Sequence, residues 1–167
     1  MKNLKDLIKE NFITKDNTQD NVSTVNEAKV NEKLFWKWIK ELGEVEMMDE
    51  INDAESGEPL YKKAYELGTT VEQFEEFVEI FYELSNKFND LMYDEDLGFG
   101  SDDRNEYASW SAPFHGEQAF NKALKAKKVY SVCDQYQGEE VGYAMDSESY
   151  KEYLQDNDLT DELKGFK

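Results

Sequence analysis

The chain has 167 residues, the size of one ordinary domain, and its 39% hydrophobic and 14% aromatic content is enough to build a core. Asp and Glu number 38 against 19 Lys and Arg, a net charge of −19 that repels a phosphate backbone and excludes nucleic-acid binding through the whole surface. One cysteine and one histidine exclude an internal disulfide framework, a multi-cysteine zinc site and a multi-histidine metal centre.

Leu4, Leu7, Ile8 and Phe12 follow helical spacing and predict a short amphipathic helix at the N-terminus. Charges at Lys2, Lys5, Asp6, Lys9 and Glu10 leave none of the roughly 7–15 unbroken apolar residues of a signal peptide. No run approaches the about 20 apolar residues of a membrane helix. The expectation is a cytoplasmic chain without membrane contact. Residues 14–29 are rich in Asn, Asp, Thr and Gln and have little to bury, so they read as a mobile linker or as a loop folded back on the domain. The organisation expected is an N-terminal helix and polar linker over residues 1–30, then an acidic helical domain over 31–167.

Asn31 caps a predicted helix carrying Leu34, Phe35, Trp38, Ile39 and Leu42 on one face, and Gly43 ends it. A second helix follows from Glu44 to Asn52, with Val45, Met48 and Ile51 together. Ser56-Gly57-Glu58-Pro59 is a break, and Pro59 suits the first turn of a third helix through Leu60, Ala64 and Leu67. Thr69 with Glu72 three residues later reads as a capping box opening the strongest helix, residues 70–92. Its apolar stripe is Val71, Phe74, Phe77, Val78, Phe81, Leu84, Phe88 and Leu91, and Glu72, Glu75, Glu76, Glu79 and Glu83 fill the remaining surface. A loop runs from Asp94 to Asp103. Helical signals return over Arg104 to Trp110 and over Glu117 to Ala126, where Ala119, Phe120, Ala123 and Leu124 turn inward. Residues 128–137 fit a strand or a helix equally well. Asp146 caps a last helix from Ser147 to Gln155. No alternating segment is long enough for a sheet. The fold expected is mainly α: a single compact multi-helix domain with a flexible N-terminal arm.

The charge is unevenly placed. From Glu41 to Glu106 there are 21 acidic residues against four basic ones, Lys62, Lys63, Lys87 and Arg104; the rest of the chain is close to neutral. Such a field serves solubility, or it attracts a basic partner across a Debye length of about 8–10 Å. Lys122, Lys125, Lys127 and Lys128 complement the C-terminus of their own helix.

Few residues point to chemistry. Counted from Asp94 as a calcium loop, the glycine-rich segment places Asp96 correctly but departs at Gly98, Phe99 and Asn105, so it is no EF-hand. An irregular cation site on Asp94, Asp96, Asp102 or Asp103 is an alternative to helix capping by Ser101 or Asp102. Asp102, Asp103 and Glu106 carry no sign of the desolvation that acid–base work demands. His115 has Ser109 and Ser111 nearby but no nucleophile elbow, and reads first as structural. Cys133 reads as a small buried apolar side chain.

Gly100-Ser101-Asp102-Asp103, followed by Tyr107, Trp110, Gly116, Phe120 and Ala123-Leu124, resembles the bacterial domain-of-unknown-function family 4240. Phe35-Trp36 with Ile39 looks like that family's opening helix, and Glu140-Val141-Gly142-Tyr143-Ala144 with Tyr150 looks like its closing segment. The likeness spans about residues 34–153. The family's Trp-Asp-Leu-Trp run stands here as Tyr93-Asp94-Glu95-Asp96-Leu97, and Pro113-Phe114-His115 replaces its Leu-Ile-Ser. The resemblance implies an uncharacterised, mainly helical bacterial domain and brings no activity with it. It suggests that Ser101, Asp102, Asp103 and Trp110 form one unit, either a clasp with carboxylates bonded to the indole N–H or the lining of a pocket.

The leading expectation is a non-enzymatic protein-binding domain whose acidic surface engages a basic protein, as an immunity or inhibitory partner of a toxin does. Its candidate binding residues are Glu72, Glu75, Glu76, Glu79, Glu83, Asp102, Asp103, Trp110 and His115. No catalytic residue, metal ligand or cofactor is assigned, and no direct nucleic-acid contact is expected. The alternative is a small-ligand or metal-dependent enzyme built on the Ser101–His115 region, using Asp102, Asp103, Arg104 and His115.

Overall fold

A computed structural model describes residues 30–159 and 163–167. The amphipathic segment with Leu4, Leu7, Ile8 and Phe12, and the polar linker of residues 14–29, lie outside the described residues.

Among the described residues every regular element is a helix. Helix α1 spans Glu32–Leu42, with the Asn31 side chain accepting from Leu34 N at 3.0 Å. Gly43 ends it at φ +114°, a conformation that a side chain opposes, and lets Glu44 N bond Ile39 O at 3.2 Å. Helix α2 spans Val45–Ala54 and α3 spans Glu58–Glu66, with Pro59 in its first turn. Met47, Met48 and Ile51 form the buried face of α2. Val45 is 36% exposed, so the expected grouping of Val45 with Met48 gives way to one built on Met47.

Helix α4, Val71–Asp94, runs for 24 residues through the centre of the fold. Its capping box is formed by Thr70 and Gln73, one residue later than the expected Thr69 and Glu72. The displaced Thr69 is fully buried: its hydroxyl accepts the Trp38 indole N–H at 3.1 Å and its carbonyl accepts the Tyr150 hydroxyl at 2.7 Å. A threonine with two buried polar obligations is held by the core, so the next residue takes the cap.

Helix α5 spans Asp102–Ser111 and runs into a single 3-10 turn, Ala112–His115. Helix α6 covers Gly116–Ala126, and a second 3-10 turn covers Val129–Ser131. Helix α7, Gln135–Ala144, follows from Asp134, whose side chain caps Tyr136 N and Gln137 N. Residues 128–137 therefore form a tight turn and the start of a helix, not a strand. Helix α8, Ser147–Asp156, is capped by Asp146 as expected.

Phe74, Phe77, Phe81, Leu84, Phe88 and Met92 of α4 are buried against the surrounding helices. Each such side chain contributes on the order of 1.5–3 kcal/mol through burial. Trp38 stacks on Phe77 with centroids 4.3 Å apart, and Phe74 stacks on Tyr150 at 4.4 Å. Helices α5 and α7 approach so closely that a Cβ on Gly138 would lie 1.8 Å from Tyr107 O, and one on Gly142 would lie 1.9 Å from the Trp110 ring. Ser111 fixes the same pair from below, its hydroxyl lying 2.9 Å from Val132 O and accepting Asp134 N at 2.8 Å.

Both ends of the described chain fasten to the start of α4. Val30 N donates to the Glu76 carboxylate at 2.8 Å. The Gln73 amide exchanges two hydrogen bonds with the Phe166 backbone, at 2.6 and 2.9 Å, while the Phe166 ring is buried against Phe77.

Candidate functional site

The apolar faces of α4 turn inward, and its helical period leaves a second face outside. At about 3.6 residues per turn, Glu72, Glu75, Glu79 and Glu83 fall within roughly a quarter of the circumference. All four are exposed. Glu76 lies next to this group but is half-buried and bound to Val30 N, so its carboxylate secures the chain and does not join the ridge. Glu75, Glu79 and Glu83 follow one another at the i, i+4 spacing, where each like-charge pair costs about 0.2–0.5 kcal/mol. Among the described residues the ion pairs are Lys63–Glu66, Lys127–Glu95 and Lys151–Glu148, and none includes a ridge glutamate.

Tyr82 and Tyr93, about three turns apart on α4, project along one edge of the ridge. Tyr82 donates its hydroxyl to Gly142 O at 3.1 Å. Desolvation, then the charges of Asp146 and Glu106, raise its phenol above the ordinary value. For Tyr93, 50% exposed, the raising causes are desolvation, then Asp102 through hydrogen bonding and charge, then Glu106 and Asp103. These electrostatic neighbours bring the N-terminal half of α5 against the edge of α4. Asp102 and Asp103 sit exposed in the first turn of α5, behind the Ser101 cap, where their charge complements the helix dipole.

Trp110 occupies the opposite end of α5. Seven or eight residues of helix separate it from Asp103 and Asp102, about 10–12 Å of rise. A clasp between those carboxylates and this indole is therefore not the arrangement formed. The indole that meets a carboxylate is Trp36, whose N–H donates to Glu32 at 3.2 Å. Trp110 instead packs directly against Gly142, with its ring 5.2 Å from Tyr107 and 6.1 Å from Tyr143. Tyr82 completes the cluster at 6.0 Å from Trp110. Tyr143 is 57% exposed, with its hydroxyl 3.5 Å from both Tyr107 and the Glu139 carboxylate. Hydrogen bonding to Tyr107, desolvation and nearby Glu139 push the Tyr143 phenol up to about 12. It stays neutral across the physiological range and acts as a ring and a hydroxyl.

His115 closes the 3-10 turn after α5, half-buried. Desolvation lowers its imidazole below the ordinary value, and Asp134 opposes that shift in part. The Asp134 charge puts it near the cap of α7, and its neighbour Phe114 packs 6.2 Å from Phe81 of α4. Of the nine expected binding residues, Glu72, Glu75, Glu79 and Glu83 share the exposed face of α4, Asp102 and Asp103 are exposed in the first turn of α5, Trp110 is buried at 8% exposure near the other end of α5, and Glu76 and His115 are half-buried.

Among the described residues no group of three or more His, Cys, Asp or Glu side chains is placed to hold a metal ion. The glycine-rich loop is organised by a neutral group: buried Asn105 accepts Phe99 N at 2.7 Å. A separate groove of about 560 Å³ between α2 and α3 has Glu46, Glu50, Glu58 and Glu66 along its walls together with Lys62 and Lys63. Among the described residues no helix is long and apolar enough to cross a membrane.

Tyr82, Glu139 and Tyr143 were not singled out as site residues from the sequence, and Glu106 was considered only for acid–base work. The signal for their assembly is the pair Gly138 and Gly142 at the i, i+4 spacing, which marks a helix face pressed against a neighbour. No protein-family model, curated protein or solved structure matches the chain.

Proposed function

We propose that this chain is a protein-binding domain whose acidic α4–α5 face engages a basic protein partner, as an immunity or inhibitor protein engages a toxin, with the cytoplasm as its setting. The observation that carries the reading is the ridge of Glu72, Glu75, Glu79 and Glu83. The fold uses the other faces of α4, so the ridge carboxylates add repulsion without adding packing. Opposite charge on a partner would turn that repulsion into attraction and speed the encounter. The tyrosines beside the ridge support the same reading, since aromatic side chains are enriched where proteins meet. The resemblance of residues 34–153 to family 4240 is compatible with this role and contributes no activity to it.

The test is affinity capture from host lysate at about 0.1 M and about 0.5 M salt, a range over which charge attraction between exposed groups is strongly screened. The expected outcome is a basic protein retained only at the lower salt and lost with the combined variant Glu72→Gln, Glu75→Gln, Glu79→Gln, Glu83→Gln. Capture that the variant leaves unchanged would remove the ridge from the reading.

A further inference from the structure

We infer that the Tyr107–Trp110–Tyr143 platform with Glu139 is an arginine-reading site within that acidic face. The inference rests on the basic-partner reading and names the chemistry of the partner. Three rings meet here with centroids 5.2–6.3 Å apart: Trp110 is buried beneath, Tyr107 is half-buried, and Tyr143 keeps more than half of its surface open. The α5–α7 contact through Gly138 and Gly142 holds the rings in place, and the Tyr82 hydroxyl on Gly142 O fixes α7 further. A platform already fixed before binding loses little freedom on meeting a ligand.

One carboxylate stands at the edge of the open ring, and two more lie near its neighbour Tyr82. Glu139 lies beside the Tyr143 hydroxyl, and Glu106 and Asp146 are close enough to raise the Tyr82 phenol, after desolvation. A cation is thus drawn to the open ring of Tyr143, which Tyr107 and Trp110 back. Lysine and arginine both satisfy the charge, but they differ in shape. A guanidinium is planar and weakly hydrated, stacks flat on a tyrosine ring and offers a fork of N–H donors to a carboxylate. An ammonium is compact and strongly hydrated, and gains less from an exposed ring. The arrangement of an open ring with Glu139 at its hydroxyl edge matches the guanidinium.

The experiment compares dye-labelled oligoarginine and oligolysine peptides of equal length, by fluorescence anisotropy on the full chain at about 0.1 M salt. Oligoarginine is expected to bind about two- to fivefold tighter for each stacked guanidinium. Tyr143→Ala should bring oligoarginine down to the oligolysine level while leaving oligolysine unchanged. Tyr143→Phe should keep the preference, because the ring remains, and Glu139→Gln should reduce it. Equal affinity of the two peptides for the native chain, or a preference that survives Tyr143→Ala, would overturn the arginine site and leave the acidic face standing. Failure of both peptides to bind would overturn the basic-partner reading and the arginine site together. The ridge variant Glu72→Gln, Glu75→Gln, Glu79→Gln, Glu83→Gln should weaken both peptides to a similar degree, which separates general attraction from ring recognition.

Discussion

Two tryptophans anchor two aromatic clusters of opposite character. Around Trp38 every ring is enclosed: the indole is fully buried, stacked on Phe77, and bonded to Thr69, whose carbonyl takes the Tyr150 hydroxyl. Around Trp110 the inner side is pressed against glycine, while Tyr143 opens outward among carboxylates. Similar side chains thus serve cohesion in one place and display in the other. What separates them is the outermost ring: the hydroxyl of Tyr150 is spent on a buried carbonyl, whereas that of Tyr143 lies at the surface beside Glu139.

The largest effect should come from the enclosed cluster. Trp38→Ala should cost about 3–5 kcal/mol, a substantial part of a domain's stability, read as a lower urea midpoint. Oligoarginine preference should persist in whatever fraction stays folded. If the loss were instead comparable to that of a surface substitution, the division between the two clusters would fail.

Gly142→Ala should come next. Its new methyl would lie 1.9 Å from the Trp110 ring, so the ring must move, at about 1–3 kcal/mol. Thermal melting would measure that cost, and the arginine preference should fall with it. A variant that is destabilised yet keeps the full preference would show that the platform tolerates a shift of its central ring.

A smaller effect belongs to pH. Burial holds the His115 imidazole below its ordinary value in the folded chain. As pH falls through about 6.5, the unfolded chain takes up that proton first, so stability is full above this value and declines below it. Urea midpoints at about pH 7 and about pH 5 should therefore differ more for the native chain than for His115→Gln. An equal difference in the two would relieve His115 of this role.

Tyr143→Ala should have the least effect on stability, within about 0.5 kcal/mol, because the side chain is largely exposed. Its consequence should appear in peptide binding alone. A large loss in its melting temperature would place Tyr143 among the enclosed residues in energetic terms.

Much of the architecture was legible in the residues. Asn31, Gly43, Pro59 and Asp146 marked helix ends correctly because capping and φ preference are local effects. The apolar repeat from Phe74 to Phe88 disclosed the central helix for the same reason. Thr69 misled, because its role depends on Trp38 and Tyr150, residues distant in the chain. Helix α7 was hidden by its composition: two glycines lower helix propensity, and only their contact with α5 accounts for them. The ridge glutamates could be placed by periodicity alone, but the tyrosine platform arises where α5 crosses α7. A single-helix pattern holds no record of that crossing.

Cys133 lies at this same junction, between Val132, whose carbonyl meets Ser111, and Asp134, whose N–H Ser111 accepts. It is the chain's one cysteine, is buried, and has its thiol pushed up to about 12 by burial. At neutral pH the sulfur is thus both shielded and protonated, and a thiol reagent must wait for the surrounding turn to separate. The native sequence therefore contains its own clock: the rate at which Cys133 is labelled times the transient opening of the scaffold beneath the aromatic platform.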